Sequence, residues 1–230
     1  MRVSAAARGG LASRRVEPGR ADIEACYRAT DLAWRLKQIP SSATCRGAFF
    51  NMLDDRAGTL SPDTQREYRR FFAVHRLSAF RMYSLRDYLT RIVLLSQIHY
   101  GEHQIHAGLR ELQSGAFDAW AGTLLGRAAL AVVTPDLLSV LRVLERAYAS
   151  QTVVSHARFS VESADSRTIV TRIKQEHVYI ESAMVGALEG VARTCRERVE
   201  VAAELDGPFD GIVRIRRLGS EEDGPEEDTA

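Results

Sequence analysis

Lysine is nearly missing from this chain. Lys37 and Lys174 are the only two among 31 basic residues, and the rest are arginine. Two causes produce such a bias: a GC-rich genome, or selection for the forked, bidentate anion contacts that a guanidinium makes and an ammonium does not. Cysteine is scarce too. Cys26, Cys45 and Cys195 are odd in number and far apart, which excludes a disulfide framework and a zinc knuckle. They read as reduced, buried thiols of a cytoplasmic protein. No run approaches the roughly 18 apolar residues that cross a bilayer. Arginines interrupt the opening residues where a signal peptide needs its apolar stretch. Neither sign of charge is in excess: the formal net charge is +1, which leaves no global field to draw nucleic acid or a membrane. The signatures of catalysis and nucleotide binding are also lacking, with no GxSxG elbow, no ordered Cys/His arrangement, no GxxxxGK[ST] and no GxGxxG after a strand. The chain therefore reads as non-enzymatic and without a cofactor. No internal repeat is visible.

What is present is enough for one sizeable core or two small ones, in 230 residues of which 45% are hydrophobic. Residues 1–20 form an Arg-rich, Gly-containing stretch that cannot bury enough apolar surface to order itself, so a flexible basic tail is expected. Residues 219–230, with Glu221-Glu-Asp and Glu226-Glu-Asp, are its acidic counterpart. Between them, residues 21–218 read as a single α+β domain, helical over 21–150 and sheet-containing over 151–218.

In the helical part, Asp22 is placed to cap a helix on which Ile23, Tyr27, Thr30 and Trp34 share one face, ending at Pro40. A short helix is predicted over Arg46 to Leu53. Ser61-Pro62 opens the next. Leu85 to Ile98 is strongly apolar, with Gly101 just beyond. Leu109 to Val133 reads as one or two helices with Phe117, Trp120, Leu124 and Leu125 inward, and Leu137 to Tyr148 as another. From Thr152 the period changes to two. Two runs around the turn Ser163 to Ser166 predict one hairpin, and Val199 to Leu205 with Gly211 to Arg217 predict a second, turned at Asp206-Gly-Pro. A helix over Tyr179 to Cys195 lies between them. The fold expected is α+β: an N-terminal helical layer packed on a C-terminal four-stranded antiparallel sheet in the order strand-strand-helix-strand-strand.

His99, His103 and His106 are the sequence's candidates for a metal site, at i, i+4 and i+7. Gly101 interrupts the run and no carboxylate stands at motif spacing, so no metal is expected. Gly122 to Gly126 and Gly186 to Gly190 read as small-residue faces, the latter packed on the sheet. Arg46 precedes Gly47-Ala-Phe-Phe50, and Arg127 lies between Leu124-Leu125 and Ala128-Ala-Leu130. Arginines so flanked are expected to be partly buried and therefore paired, with Asp54, Asp87 or Asp118, or else to anchor a polar ligand.

Several stretches together carry a resemblance: Asp31-Leu-Ala-Trp-Arg-Leu-Lys-Gln-Ile-Pro, Thr44-Cys-Arg-Gly-Ala-Phe-Phe-Asn-Met-Leu, Tyr83-Ser-Leu-Arg-Asp-Tyr-Leu, Thr123-Leu-Leu-Gly-Arg and Ala147-Tyr-Ala-Ser-Gln-Thr-Val-Val-Ser. Over about residues 25 to 218 the chain resembles a domain family of unknown function, of about this length, expanded in myxobacteria. Glu181-Ser182 stands where that family's pattern implies a glycine. The strand-strand-helix-strand-strand ending looks like the C-terminal part of haem-nitric-oxide sensors and related small-molecule-binding domains. Leu137 to Tyr148 holds no histidine for a haem axis, and no Y-x-S-x-R run follows it, so haem is not expected.

The leading expectation is a non-catalytic sensory or regulatory domain. It would hold a small apolar ligand between helices and sheet, with Arg46, Phe50, Trp120 and Arg127 as the binding residues. The alternative is a protein-interaction or assembly module without a ligand, for which a homodimer is one assembly. An enzyme built on the histidine run ranks third.

Overall fold

The computed structural model describes residues 22–72, 76–153 and 157–218; the two tails expected at 1–20 and 219–230 lie outside them. The first half is helical: α1 (Ile23–Ala29), α2 (Leu32–Gln38), α3 (Gly47–Ala57), α4 (Pro62–Phe71), α5 (Leu85–Tyr100), α6 (Ile105–Gln113), α7 (Ala116–Ala121), α8 (Leu124–Leu130) and α9 (Leu137–Gln151). Local chemistry sets several of these starts. Asp22 accepts from the backbone N–H groups of Glu24 and Ala25, and Ser61 accepts from that of Thr64 with Pro62 in the first turn. The single helix expected after Asp22 is two, because Thr30 turns its hydroxyl back onto the Cys26 carbonyl at 2.7 Å and the chain re-starts at Asp31. That break rotates Trp34 out to 43% exposure.

Among the described residues seven strands accompany the helices: β1 (Thr44–Arg46), β2 (Met82–Ser84), β3 (Thr152–Val153), β4 (Arg158–Ala164), β5 (Thr168–Lys174), β6 (Val199–Leu205) and β7 (Gly211–Arg217). The expected four-stranded antiparallel sheet is present, in the order β4-β5-β7-β6. Its inward row runs Ile169, Thr171 and Ile173 on β5 opposite Ile215, Val213 and Gly211 on β7. A turn held by Asp165, whose carboxylate accepts from the N–H groups of Arg167 and Thr168, joins β4 to β5. Helix α10 (Val185–Thr194), entered through a π-helical turn at Ile180–Met184, crosses between the hairpins as expected. The small sheet β2-β1-β3 was not expected. The stretch from Thr152 that reads as one strand is two: β3 joins this small sheet, and β4 joins the large one.

Apolar burial divides in two. One core gathers the faces of α1, α2, α3, α5 and α6 around Leu89, Ile92 and Leu95; the other gathers α7, α9, α10 and the inner face of the large sheet around Leu141, Leu188 and Ile215. The seam between them is where a site can form. Helix α10 is drawn tightly to α6. A Cβ on Gly186 would stand 1.9 Å from the Arg110 carbonyl oxygen, and one on Gly190 2.1 Å from that of Ser114. The small face of α10 therefore meets a helix, and not the sheet as its sequence was read.

Candidate functional site

A cavity of about 120 Å³ lies in that seam. Helices α3 and α5 bring Phe49 and Tyr88 to it, α7 brings Phe117 and Trp120, α9 and β4 bring Tyr148 and Phe159, and α10 closes it with Leu188 and Val191. The rings come in pairs, with centroids 6.2 Å apart for Phe49 and Tyr88, 5.6 Å for Phe117 and Trp120, and 5.9 Å for Tyr148 and Phe159. Aliphatic residues complete a wall that is apolar apart from a few groups.

Those groups are specific. The Trp120 indole N–H is buried without a hydrogen-bond partner, an arrangement that costs free energy until an acceptor arrives. The Tyr88 hydroxyl donates to Gln113 Oε1 at 2.7 Å, so this pair is satisfied internally. Glu176, just past β5, is 2% exposed. Its Oε1 accepts from the Val178 N–H at 2.8 Å and its Oε2 accepts from the Tyr148 hydroxyl. Burial pushes its carboxyl up to about 7, against the pull of the Val178 and His177 amides and of Arg35. The Cys45 thiol also lines the cavity, and burial holds it well above the ordinary thiol range, so it stays protonated and inert.

Of the four residues expected at a site, Trp120 lines this cavity and the others do not. Phe50 packs edge-on against Tyr83 and Tyr88 in the helical core, and its neighbour Phe49 takes the cavity position. Arg46 meets no carboxylate among the described residues. Its Nε donates to the Ser150 carbonyl at 2.9 Å and its Nη1 to that of Phe80 at 2.5 Å, tying α9 and the start of β2 to β1. Arg127 is exposed. It lines a surface groove of about 660 Å³ with Phe80, Leu124 and Asp118, and Asp118 accepts from the Thr194 hydroxyl. Apolar neighbours in sequence did not bury it, because α8 lies on the surface and leaves Leu124 and Leu125 at 66% and 45% exposure. Arg127→Leu is accordingly expected to change unfolding free energy by no more than about 0.5 kcal/mol. A urea titration showing a loss of several kcal/mol would restore a buried partner.

Among the described residues Arg35 is buried and Arg91 nearly so, and the sequence singled out neither. Arg35 is held by Asp31 at 2.8 Å and lies 4.2 Å over the Tyr179 ring. Arg91 is held by Asp54 at 3.0 Å, with Tyr68 donating to the same carboxylate. The histidines part company. Gly101, at φ 85°, ends α5. His99 packs on Tyr100, and His106 turns to Ser182 Oγ at 3.2 Å and to the Glu181 carboxylate at 3.8 Å. Among the described residues no three His, Cys, Asp or Glu side chains converge as metal ligands would.

Solved structures share this architecture at low identity. An H-NOX protein from S. oneidensis in the Fe(II)NO ligation state superposes with a TM-score of 0.61 at 12% identity, over 76% of this chain and 99% of that one. An unliganded Fe(II) H-NOX protein from K. algicida gives 0.57 at 13%, over 76% and 98%. A variant of T. tengcongensis H-NOX gives 0.58 at 13%, over 76% and 99%. Likeness of this degree establishes the fold: the chain is H-NOX-like, α+β, with the four-stranded antiparallel sheet at its C-terminal end. The wall of the cavity does not fit a haem. Among the described residues it offers no histidine and no arginine. The two tyrosine hydroxyls are given to Gln113 and Glu176, and the thiol is held protonated. The volume also falls below the roughly 300–1,000 Å³ of pockets that take larger organic ligands. No curated protein matches the chain in sequence. A family model described as a protein of unknown function, DUF2378, matches residues 38–216, and the chain belongs to that family.

Proposed function

We propose that this protein is a non-catalytic, cytoplasmic sensory or regulatory domain that holds one small, largely apolar molecule in the cavity between its helical layer and its sheet. The observation that carries the reading is the apolar, ring-lined cavity in the seam between the two cores. An apolar cavity of about 150 Å³ accepts benzene or xenon, so the occupant has the bulk of a single ring. The H-NOX likeness supports a sensing role, since the similar structures hold Fe(II) and in one case NO. Among the described residues no helix is long and apolar enough to cross a membrane.

Helix α7 also borders a surface groove: Phe117 and Trp120 face the cavity, while Asp118 and Ala119 line the groove. Phe80 at 54% exposure and Leu124 at 66% give that groove an apolar rim, and this favours a second reading, an interaction module that needs no ligand. A panel of ring-sized neutral probes separates the two. At about a hundredfold excess over Kd, a cavity binder should raise the thermal midpoint by about 5 °C or more. Ala116→Leu, which fills the cavity from α7, should weaken binding at least tenfold while leaving the fold intact. If native mass spectrometry finds no retained molecule and no probe shifts the midpoint, the interaction reading prevails.

A further inference from the structure

The cavity reading leaves Glu176 unexplained. A carboxyl at 2% exposure is costly to ionise unless something positive stands by it. Its hydrogen bonds are good: the Val178 N–H and the Tyr148 hydroxyl both donate to it. Among the described residues no ion pair supplies it with a counter-ion. Arg35 pulls on it electrostatically from α2, but that guanidinium is committed to Asp31, the His177 carbonyl and the Tyr179 ring, and no ion pair joins it to Glu176 among the described residues.

A hydrogen-bonded carboxylate without a cation lies in a cavity with six aromatic rings in its wall. Ring faces attract organic cations, increasingly so when water is excluded. We infer that the cavity selects a small organic ammonium, with its charge against Glu176 and its methyl or methylene groups against the rings.

This rests on the cavity reading, and the test keeps the two apart. Choline and 3,3-dimethyl-1-butanol have the same shape and differ in charge alone. Calorimetric titration of the full chain at pH 8 should show choline binding at least tenfold more tightly than the alcohol. Glu176→Gln should abolish that preference and leave the alcohol's affinity unchanged. Wild-type protein gives a second arm that needs no variant. Choline affinity should fall at least fivefold between pH 8 and pH 5, while that of the alcohol stays level. Among the described residues the ionisable groups around Glu176 include Tyr148, Arg35, Cys45, Tyr88 and His177. Burial pulls the His177 imidazole below its ordinary value, and to set its charge aside the fall must persist in His177→Asn. Equal affinity for the two probes, or a choline preference that survives Glu176→Gln, overturns the ammonium assignment. It is overturned likewise if neutral ring-sized probes bind and choline does not. If no probe of either kind binds, the cavity reading falls as well.

Discussion

Gly186→Ala should cost about 2–4 kcal/mol of unfolding free energy, and Gly186→Val should leave little folded protein. The reason is space. A Cβ at this position would stand 1.9 Å from the Arg110 carbonyl oxygen and 2.7 Å from the carbonyl carbon, both main-chain atoms of α6 that cannot swing aside as a side chain can. Overpacking of this kind costs roughly 1–3 kcal/mol where neighbours relax, and more where they are backbone. Relaxation is resisted here. The Arg110 and Glu189 side chains form an ion pair across the two helices, and Arg193 donates to the Ser114 carbonyl at 2.9 Å. Separating α6 from α10 would loosen both. It would also move Leu188 and Val191, which close the cavity, so ligand binding should weaken along with stability. Gly122→Ala is the control. Its nearest neighbour is the Asp118 carbonyl oxygen at 3.2 Å, and the glycine is exposed; that change should fall within about 0.5 kcal/mol of wild type. Urea titrations of the two variants settle the matter, and a Gly186→Ala protein as stable as Gly122→Ala would refute the close-packing account.

How much of this fold the sequence disclosed follows from how local each signal is. Asp22, Ser61-Pro62 and the Asp165 turn act within a few residues, and all three are found where their chemistry places them. The large sheet was legible because seven-residue strands show their period. Strands of two or three residues, such as β1, β2 and β3, have no period to read, and β1 pairs with partners 40 residues away in β2 (Thr44 with Ser84) and 109 away in β3 (Thr44 with Val153). The stretch from Leu109 to Val133 broke into α6, α7 and α8 at signals that were present but weak. Thr123 caps α8, its hydroxyl accepting from the Gly126 N–H at 3.0 Å. A two-turn helix is also too short to fix its inward face from apolar spacing, which is why Leu124 and Leu125 point outward.

The site was less legible than the fold. Phe117 and Trp120 could be read as one buried face, because i and i+3 coincide on any helix. Glu176 could not. It sits in Lys174-Gln-Glu-His, a polar run after an apolar strand, and such runs are usually solvated turns. Here α9 lays Tyr148 over it, and the burial is wholly tertiary. The arginines show the same limit from the other side. Flanking residues in sequence point in different directions on a helix, so apolar flanks say little about burial. Arg35 is inside and Arg91, followed by Ile92 to Leu95, is nearly so, whereas Arg127, flanked no less apolarly, is out.

Glu176 also makes the protein's stability depend on pH in a direction opposite to that of most carboxylates. In the unfolded chain its carboxyl loses the proton near its ordinary value of 4.5, whereas in the folded chain burial holds the proton up to about 7. Below 4.5 both states are protonated and the group costs nothing extra. Between those values the unfolded chain ionises first, so stability falls as pH rises. Above about 7 the cost is complete and level. At roughly 1.4 kcal/mol per unit of separation, the full loss is about 3 kcal/mol. Glu176→Gln should remove it. The amide oxygen can still accept from Val178, and the amide N–H can donate to the Tyr148 oxygen, so the two contacts survive with one reversed. Guanidinium denaturation at pH 5, 6, 7 and 8 should therefore give curves about 1 kcal/mol apart at pH 5 that separate to about 3 kcal/mol at pH 8, with the variant the more stable. Other titrating groups act on both proteins alike and cancel in the difference. Parallel curves would mean that Glu176 stays ionised in the fold, already neutralised by Arg35. In that case its place in the cavity wall would no longer call for a cationic ligand.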